Sequence, residues 1–332
     1  MHAHRSMKTK VELYIGGCSG SNIPQAERIF REDDSAQHII SRPVSRSAFG
    51  THTTSLALVM GQTGILFDNG SGAGQACEFL KAHLVNNVYI FQTHYHHDHL
   101  SGLMVNPFLL FDARHLKGMY GPTLGNDDIV TVLDKYYTTP FWPISPKALG
   151  IKLPLFSFKP GDTIPVLGGV RTLGLNHAGG AVAYRIKTPA GDVVIATDNE
   201  LSQDCKFDIQ QQTAEFMAGA ALAYVDVQYT DDEYNGKGVI GPGNTNVSRK
   251  NWGHSTPSML VQTFEQMVSA PKLTLVGHHD PKRSDEGLFD FQRLLKAHIE
   301  HLGTKVRFAR ECETIELPVT VPPQVAEEVA SI

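Results

Sequence analysis

The chain has 332 residues, 41% of them hydrophobic, and carries 29 Lys and Arg against 34 Asp and Glu, a net charge of −5. That is apolar mass enough for one large α/β unit; it excludes disorder and collagen-like repetition. It also argues against bulk nucleic-acid binding, which rests on Lys and Arg neutralising phosphate. Cys18, Cys77, Cys205 and Cys312 lie too far apart in sequence for a zinc knuckle or a redox pair, so buried free thiols are expected. The opening residues Met1-His2-Ala3-His4-Arg5 lack the apolar run of a secretory leader, and no window reaches the ~18 apolar residues of a membrane span. The expectation is a soluble cytoplasmic protein with no membrane partner.

In chain order, Val11–Ile15 reads as a strand, followed by a loop-rich stretch holding Arg28, Arg31, Arg42 and Arg46. A hairpin runs from Thr53 to Met60, turns at Gly61-Gln62-Thr63-Gly64, and returns through Ile65–Phe67 to Asp68-Asn69-Gly70. Gln75–Leu84 has helical spacing and leads into a buried strand, Asn87–Gln92. Residues 105–165, rich in proline and aromatics, read as an insertion or lid around one short helix, Asp127–Tyr137. Within it, the proline-bracketed pair Phe141-Trp142 is a candidate stacking surface near the pocket, with anchoring of the insertion as the alternative. Strands return at Gly169–Leu175, Val182–Lys187 and Asp192–Ala196. A helix over Gln211–Ala223 leads into a strand from Leu222 to Val227, and a glycine-rich loop covers Asn235–Gly253. Ser255 opens a helix to about Ser269, Lys272–Val276 is a strand, and Ser284–Leu302 is the best helix. The residues from Glu313 to Ile332 read as a surface tail on what is otherwise a single domain spanning 1–332.

The chemistry concentrates in Thr93-His94-Tyr95-His96-His97-Asp98-His99-Leu100-Ser101-Gly102. Four histidines and an aspartate crowd six positions, an expensive core and an unusual surface. On extended backbone His94 and His96 point the same way, while Asp98 and His99 sit where the chain turns, so two neighbouring sites can be fed from one segment. Imidazole with carboxylate suits zinc, and also manganese or iron. Downstream, three more candidates follow strands: His177 after Leu175, Asp198 after Ile195-Ala196, and His278 after Val276.

This pattern resembles the H-x-H-x-D-H signature of the metallo-β-lactamase superfamily, read as His94, His96, Asp98 and His99. The resemblance spans about Val11 to Leu302 and implies an α/β fold, a four-layer αββα sandwich. It implies two divalent metal ions per chain, zinc first. His94, His96 and His177 would hold one; Asp98, His99 and His278 the other; Asp198 would bridge them. His279 competes with His278, which is preferred because Pro281 follows it as in an H-x-x-P pattern. His97 has no ligand slot and reads as a rim residue.

Asn251-Trp252-Gly253-His254-Ser255-Thr256, with the preceding Asp226–Tyr234, is similar to the phosphodiesterase and transfer-RNA 3′-processing branch. Two divalent ions about 3.5–4 Å apart can bind a bridging hydroxide, acidify water to about pH 7, and clamp a phosphoryl oxygen. A phosphodiester also needs its leaving alkoxide protonated. Asp98 and His254 are therefore the catalytic candidates, with His254 as the acid. Asp68 and His52 are placed near the same rim. The acidic balance favours a small phosphodiester, such as a cyclic nucleotide or ribose cyclic phosphate, over transfer RNA. The alternatives are a lactone or thioester hydrolase, a transfer-RNA 3′-endonuclease, and a catalytically silent nucleotide-binding protein. A homodimer is implied by the branch resemblance alone.

Overall fold

The computed structural model describes residues 10–21, 47–205, 208–238 and 246–319; the four arginines singled out after Cys18 lie outside them, as do residues 239–245 of the glycine-rich loop. In the first half run β1 (Val11–Gly17), β2 (Ser55–Met60), β3 (Thr63–Phe67), α1 (Ala73–Ala82), β4 (Asn87–Phe91), α2 (His97–Leu100), β5 (Leu116–Pro122), α3 (Ile129–Tyr136) and β6 (Leu155–Phe158). In the second run β7 (Thr163–Ile164), β8 (Val170–Leu175), β9 (Ala181–Ile186), β10 (Val193–Ala196), α4 (Ile209–Met217), β11 (Leu222–Asp226), α5 (Asp231–Tyr234), α6 (Pro257–Glu265), β12 (Leu273–Gly277), α7 (Asp285–Ile299), β13 (Lys305–Phe308) and β14 (Thr314–Leu317).

They form two seven-stranded sheets, ordered β14-β1-β2-β3-β4-β5-β6 and β13-β12-β11-β10-β9-β8-β7. Each is mixed: β3 to β6 run parallel beside an antiparallel arm, and β10 to β13 run parallel beside another. Side chains alternating with period two build the layers. In β2, Leu56, Leu58 and Met60 enter the core between the sheets, while Ala57 and Val59 face the outer layer under α1 and α3. In β10, Val193 and Ile195 face inward and Val194 and Ala196 face α4, α6 and α7. The result is the four-layer αββα sandwich. Strands covered on both faces read as continuous apolar runs because neither face meets water.

Helix ends follow their caps. Ser284 accepts from the Gly287 amide to start α7, whose Leu288, Phe291, Leu295 and Ile299 form the buried stripe. The helix expected to reach Ala223 stops at Met217, because Ala218 is extended and Gly219 turns at φ +67 to feed β11. Thr256, not Ser255, caps α6, with Pro257 at its first position.

Two boundaries differ from the sequence reading. Residues 105–165 supply β5 and β6 to the first sheet and β7 to the second, so only the stretch between β5 and β6 is an excursion. Gly118, Gly121 and Pro122 in β5 hide its strand pattern. Of the expected surface tail, Thr314–Leu317 is β14, paired antiparallel to β1 with Ile315 and Leu317 buried. Alternation over four residues was too short a signal. No helix among the described residues is long and apolar enough to cross a membrane. No disulfide joins the four cysteines, and Cys18 and Cys77 are buried.

Candidate metal centre

Every candidate ligand leaves the end of a strand. After β4 the chain stays extended through His96, which caps α2 with φ −68° and ψ 155°. His94 and His96 therefore share a side, their Nε2 and Nδ1 atoms 3.1 Å apart. One turn of α2 then carries Asp98 and His99 back over the same spot, while His97 is exposed on the rim. From the second sheet, His177 follows β8, Asp198 follows β10 and His278 follows β12. His177 Nε2 lies 2.9 Å from His96 Nδ1. His278 Nε2 lies 3.2 Å from Asp98 Oδ2 and 3.2 Å from Asp198 Oδ2. Asp198 also faces His99 at 3.3 Å and both His94 and His177 at 3.7 Å. Ligand atoms on one tetrahedral ion with bonds of ~2.0–2.1 Å stand about 3.3–3.4 Å apart. His94, His96 and His177 form one group able to hold a metal ion, and Asp98, His99 and His278 another. Asp198 lies against both.

The chemistry of the donors fits a cation. His177 Nδ1 donates to the Gly253 carbonyl at 2.9 Å, His278 Nδ1 to Gln228 Oε1 at 3.1 Å, and His99 Nδ1 to Asp68 Oδ2 at 2.8 Å. The Thr93 hydroxyl donates to Asp68, leaving its oxygen to accept from His94 Nδ1 at 3.0 Å. With these four Nδ1 atoms bound to oxygen acceptors, their Nε2 atoms converge, and His96 brings its Nδ1 to the same place. His99 Nε2 is fully buried with no hydrogen-bond partner. Such a convergence of acceptors calls for positive charge.

The two groups differ electrostatically. Burial lowers His94 well below the ordinary histidine range and brings His177 to about 4, so both imidazoles are neutral at pH 7. Burial also lowers His96, although it sits at the solvent rim. For His99, burial opposes protonation, but the carboxylates of Asp198, Asp68 and Asp98 outweigh it and raise the imidazole well above its usual range. His278 is raised by Asp198 and Asp98 in the same contest. Asp98 and Asp198 stay ionised because neighbouring histidines overcome the burial penalty.

His254 adjoins this cluster, its ring nitrogen grouped with His177 and Asp198 on one side and with Asp226 and His278 on the other. Its ring stacks on His278 at 4.7 Å and meets His177 edge-on at 5.1 Å. Nδ1 pairs with Asp226 Oδ2 at 3.1 Å, which turns Nε2 away from the carboxylate. Asp226 ends β11 and also accepts the Asn199 amide at 3.0 Å, so the pair is anchored to the sheet. Gly253 at φ +91° lets the loop press on His177: a Cβ there would stand 2.0 Å from Nδ1.

Thus His94, His96, Asp98, His99, His177, Asp198 and His278 come together, with His254 adjacent. His279 does not join them; its Nε2 pairs with the Ala309 carbonyl and its ring stacks on Phe308. Asp68 does reach the site, through His99, whereas His52 pairs with Ser71 at 3.3 Å. Asp226, Gln228 and Glu200 carry positioning contacts that the sequence reading did not assign. Their signal is faint: Asp226 and Glu200 follow strand ends, as the ligands do. Phe141 is 80% exposed and Trp142 packs edge-on against Tyr137, at 5.9 Å, in the outer layer, so the indole anchors rather than stacks.

The family description for the metallo-beta-lactamase superfamily matches residues 50–297. No curated protein matches the sequence. Among solved structures, the chain is similar to the metallo-beta-lactamase fold protein YhfI from Bacillus subtilis, at 16% identity and TM-score 0.60, covering 93% of this chain and 100% of that one. Yeast PDE1 follows at 13% identity and TM-score 0.59, covering 92% and 99%. A diphosphatase of the PhnP family has 15% identity and TM-score 0.56, covering 94% and 100%. With its two mixed sheets, its strand-end histidines and aspartates, and three quarters of its length matched, the chain belongs to the metallo-beta-lactamase superfamily.

Proposed function

We propose that this metal-dependent hydrolase cleaves small phosphodiesters. In this reading His94, His96 and His177 hold one divalent ion and Asp98, His99 and His278 a second, with Asp198 between them. Zinc suits the nitrogen-rich first group. Such a pair supplies Lewis-acid charge for a phosphoryl oxygen and a water acidified to near neutrality. The observation that carries the substrate class is the Asp226–His254 pair. A thiolate leaving a thioester needs no proton donor this close to the cluster, but a sugar alkoxide leaving phosphorus does. Asp226 accepts from His254 Nδ1, which leaves Nε2 as the nitrogen that would hand a proton to the leaving group. As the P–O bond to the leaving group breaks, that proton passes to the departing oxygen and neutral His254 remains.

The excess of acidic residues supports a small substrate over structured RNA. The free thiols support a reducing compartment, the cytoplasm. Homodimerisation belongs to the same reading and is checked by sedimentation. The decisive experiment compares purified protein on cyclic nucleotides, bis(p-nitrophenyl) phosphate, a lactone and a thioester, alongside metal analysis. About two metal equivalents with phosphodiester turnover are expected. A lactone or thioester preference of several orders of magnitude would overturn the proposal, as would salt-sensitive cleavage of transfer RNA.

A further inference from the structure

We infer that Trp252 is a stacking platform for an aromatic ring of the substrate, a nucleobase carried beside the scissile phosphodiester; this rests on the phosphodiesterase reading above. Trp252 is 47% exposed, although His254, two residues on, is buried. Its position on the rim follows from its neighbour. The Gly253 carbonyl accepts from His177 Nδ1 at 2.9 Å, and the Trp252 Cα is one ~3.8 Å step away.

The turn that presents the indole is held on both sides. Asn251 at φ +65° and Gly253 at φ +91° flank it in left-handed backbone. Their amides donate to the two oxygens of one buried carboxylate, Glu200, at 3.0 and 2.9 Å. The Trp252 amide closes onto the Arg249 carbonyl at 3.2 Å. Strained backbone persists only where its surroundings over-determine it, and here a buried acid is committed to holding an exposed ring in place.

The ring is also backed by charge. The Arg249 guanidinium lies 5.0 Å from the Trp252 centroid and 4.8 Å from that of Tyr229, whose ring meets His254 edge-on at 5.6 Å. Indole, guanidinium, phenol and imidazole thus form one chain of contacts that ends at the proposed acid. Arg249 Nε is buried without a hydrogen-bond partner, and the cation complements an anionic phosphodiester. The exposed part of the indole remains for a ligand. Every base has a π face, so stacking adds affinity with little choice among bases.

The chain has two tryptophans, so Trp142→Phe leaves Trp252 as sole indole reporter. In that background, 5′-AMP should quench the fluorescence saturably, and ribose 5-phosphate should not. In parallel, the ratio of kcat/KM for 3′,5′-cyclic AMP to that for base-free ribose 3′,5′-cyclic phosphate should fall about tenfold in Trp252→Ala and recover in Trp252→Phe. An indole indifferent to AMP, or a ratio unmoved by Trp252→Ala, would overturn the platform even if cyclic AMP is cleaved. Saturable quenching in a protein that cleaves no phosphodiester would keep the platform and remove the phosphodiesterase reading.

Discussion

The two sheets use the same backbone device for opposite ends. β3 is followed by Asp68 at φ +58°, and β10 by Asp198 at φ +59°; both are buried, and both face His99, one from each side. Aspartate tolerates this left-handed turn better than most residues, which lets a strand end abruptly and aim its carboxylate back over the sheet edge. Their neighbours differ. Asp68 accepts from Thr93 N at 2.7 Å, Thr93 Oγ1 at 2.8 Å, Gln92 Nε2 at 2.9 Å and His99 Nδ1 at 2.8 Å, so protein donors satisfy it. Asp198 takes one hydroxyl bond, from Thr197 at 2.7 Å, and otherwise faces imidazole nitrogens. A carboxylate already saturated by hydrogen bonds orients a ligand; one surrounded by lone pairs is left to share a cation.

Breaking the second carboxylate should do most. Asp198→Ala is expected to bring metal content from about two equivalents to below one and phosphodiester turnover down by at least ~10³-fold, whereas His94→Ala should keep part of the second equivalent. Metal analysis beside kinetics checks this, and two metals retained by Asp198→Ala would remove it from the bridging position. Next in size, His254→Ala should lose about 10²–10⁴ in rate on a cyclic nucleotide and far less on bis(p-nitrophenyl) phosphate, whose leaving group needs no proton. Its metal content should be unchanged; equal losses on both substrates would make His254 a binding contact.

Asp68→Asn keeps the shape but weakens the acceptor for His99 Nδ1. Metal affinity of the Asp98–His99–His278 group should drop about 10–100-fold, with the other group spared. Competitive chelator titration reads the two steps separately, and a uniform loss at both would collapse the contrast between the aspartates. The smallest effect is in the pH profile of chelator-stripped protein. His177 is held at about 4 in the fold against an ordinary 6.5, so between those values the unfolded chain binds more protons. Stability should therefore rise with pH across that window, by at most about 1.4 kcal/mol per unit from this residue. The raised His99 and His278 act only above 6.5, with the opposite sign. Denaturant melts of His177→Gln should show a shallower rise, and an unchanged slope would contradict the burial of a neutral ring.

Legibility differed between the same two regions. The first sheet's candidate ligands lie in one run, His94 to His99, where period-two backbone followed by a helical turn is a local property. The second sheet's candidates are scattered from His177 to His278, and only their position after apolar runs marked them. Where the local signal failed, geometry was non-local. β5 was masked by its glycines, and β14 was too short to read until β1 lay beside it. Asp226 and Glu200 carry no motif of their own; each matters because it holds the His254 loop, in contacts across 28 and 53 positions.

The alternating apolar runs and the dense histidine segment gave by themselves a β-rich α/β chain with a candidate metal-binding segment, because periodicity and ligand chemistry are properties of a few adjacent residues; the αββα sandwich came from the resemblance that this segment carries. The preference for His278 over His279 rested in the sequence on the H-x-x-P resemblance alone. Its physical reason is a left-handed turn at φ +52° that aims the first ring at Asp98 and Asp198 and leaves the second against Phe308. Likewise Trp252, rather than the proline-bracketed Trp142, stands at the rim, because Glu200, distant in the chain, holds the Asn251 and Gly253 amides on either side of it. Side-chain direction at a strand end is set by backbone angles and packing partners far away in sequence, and only the assembled sheets supply those.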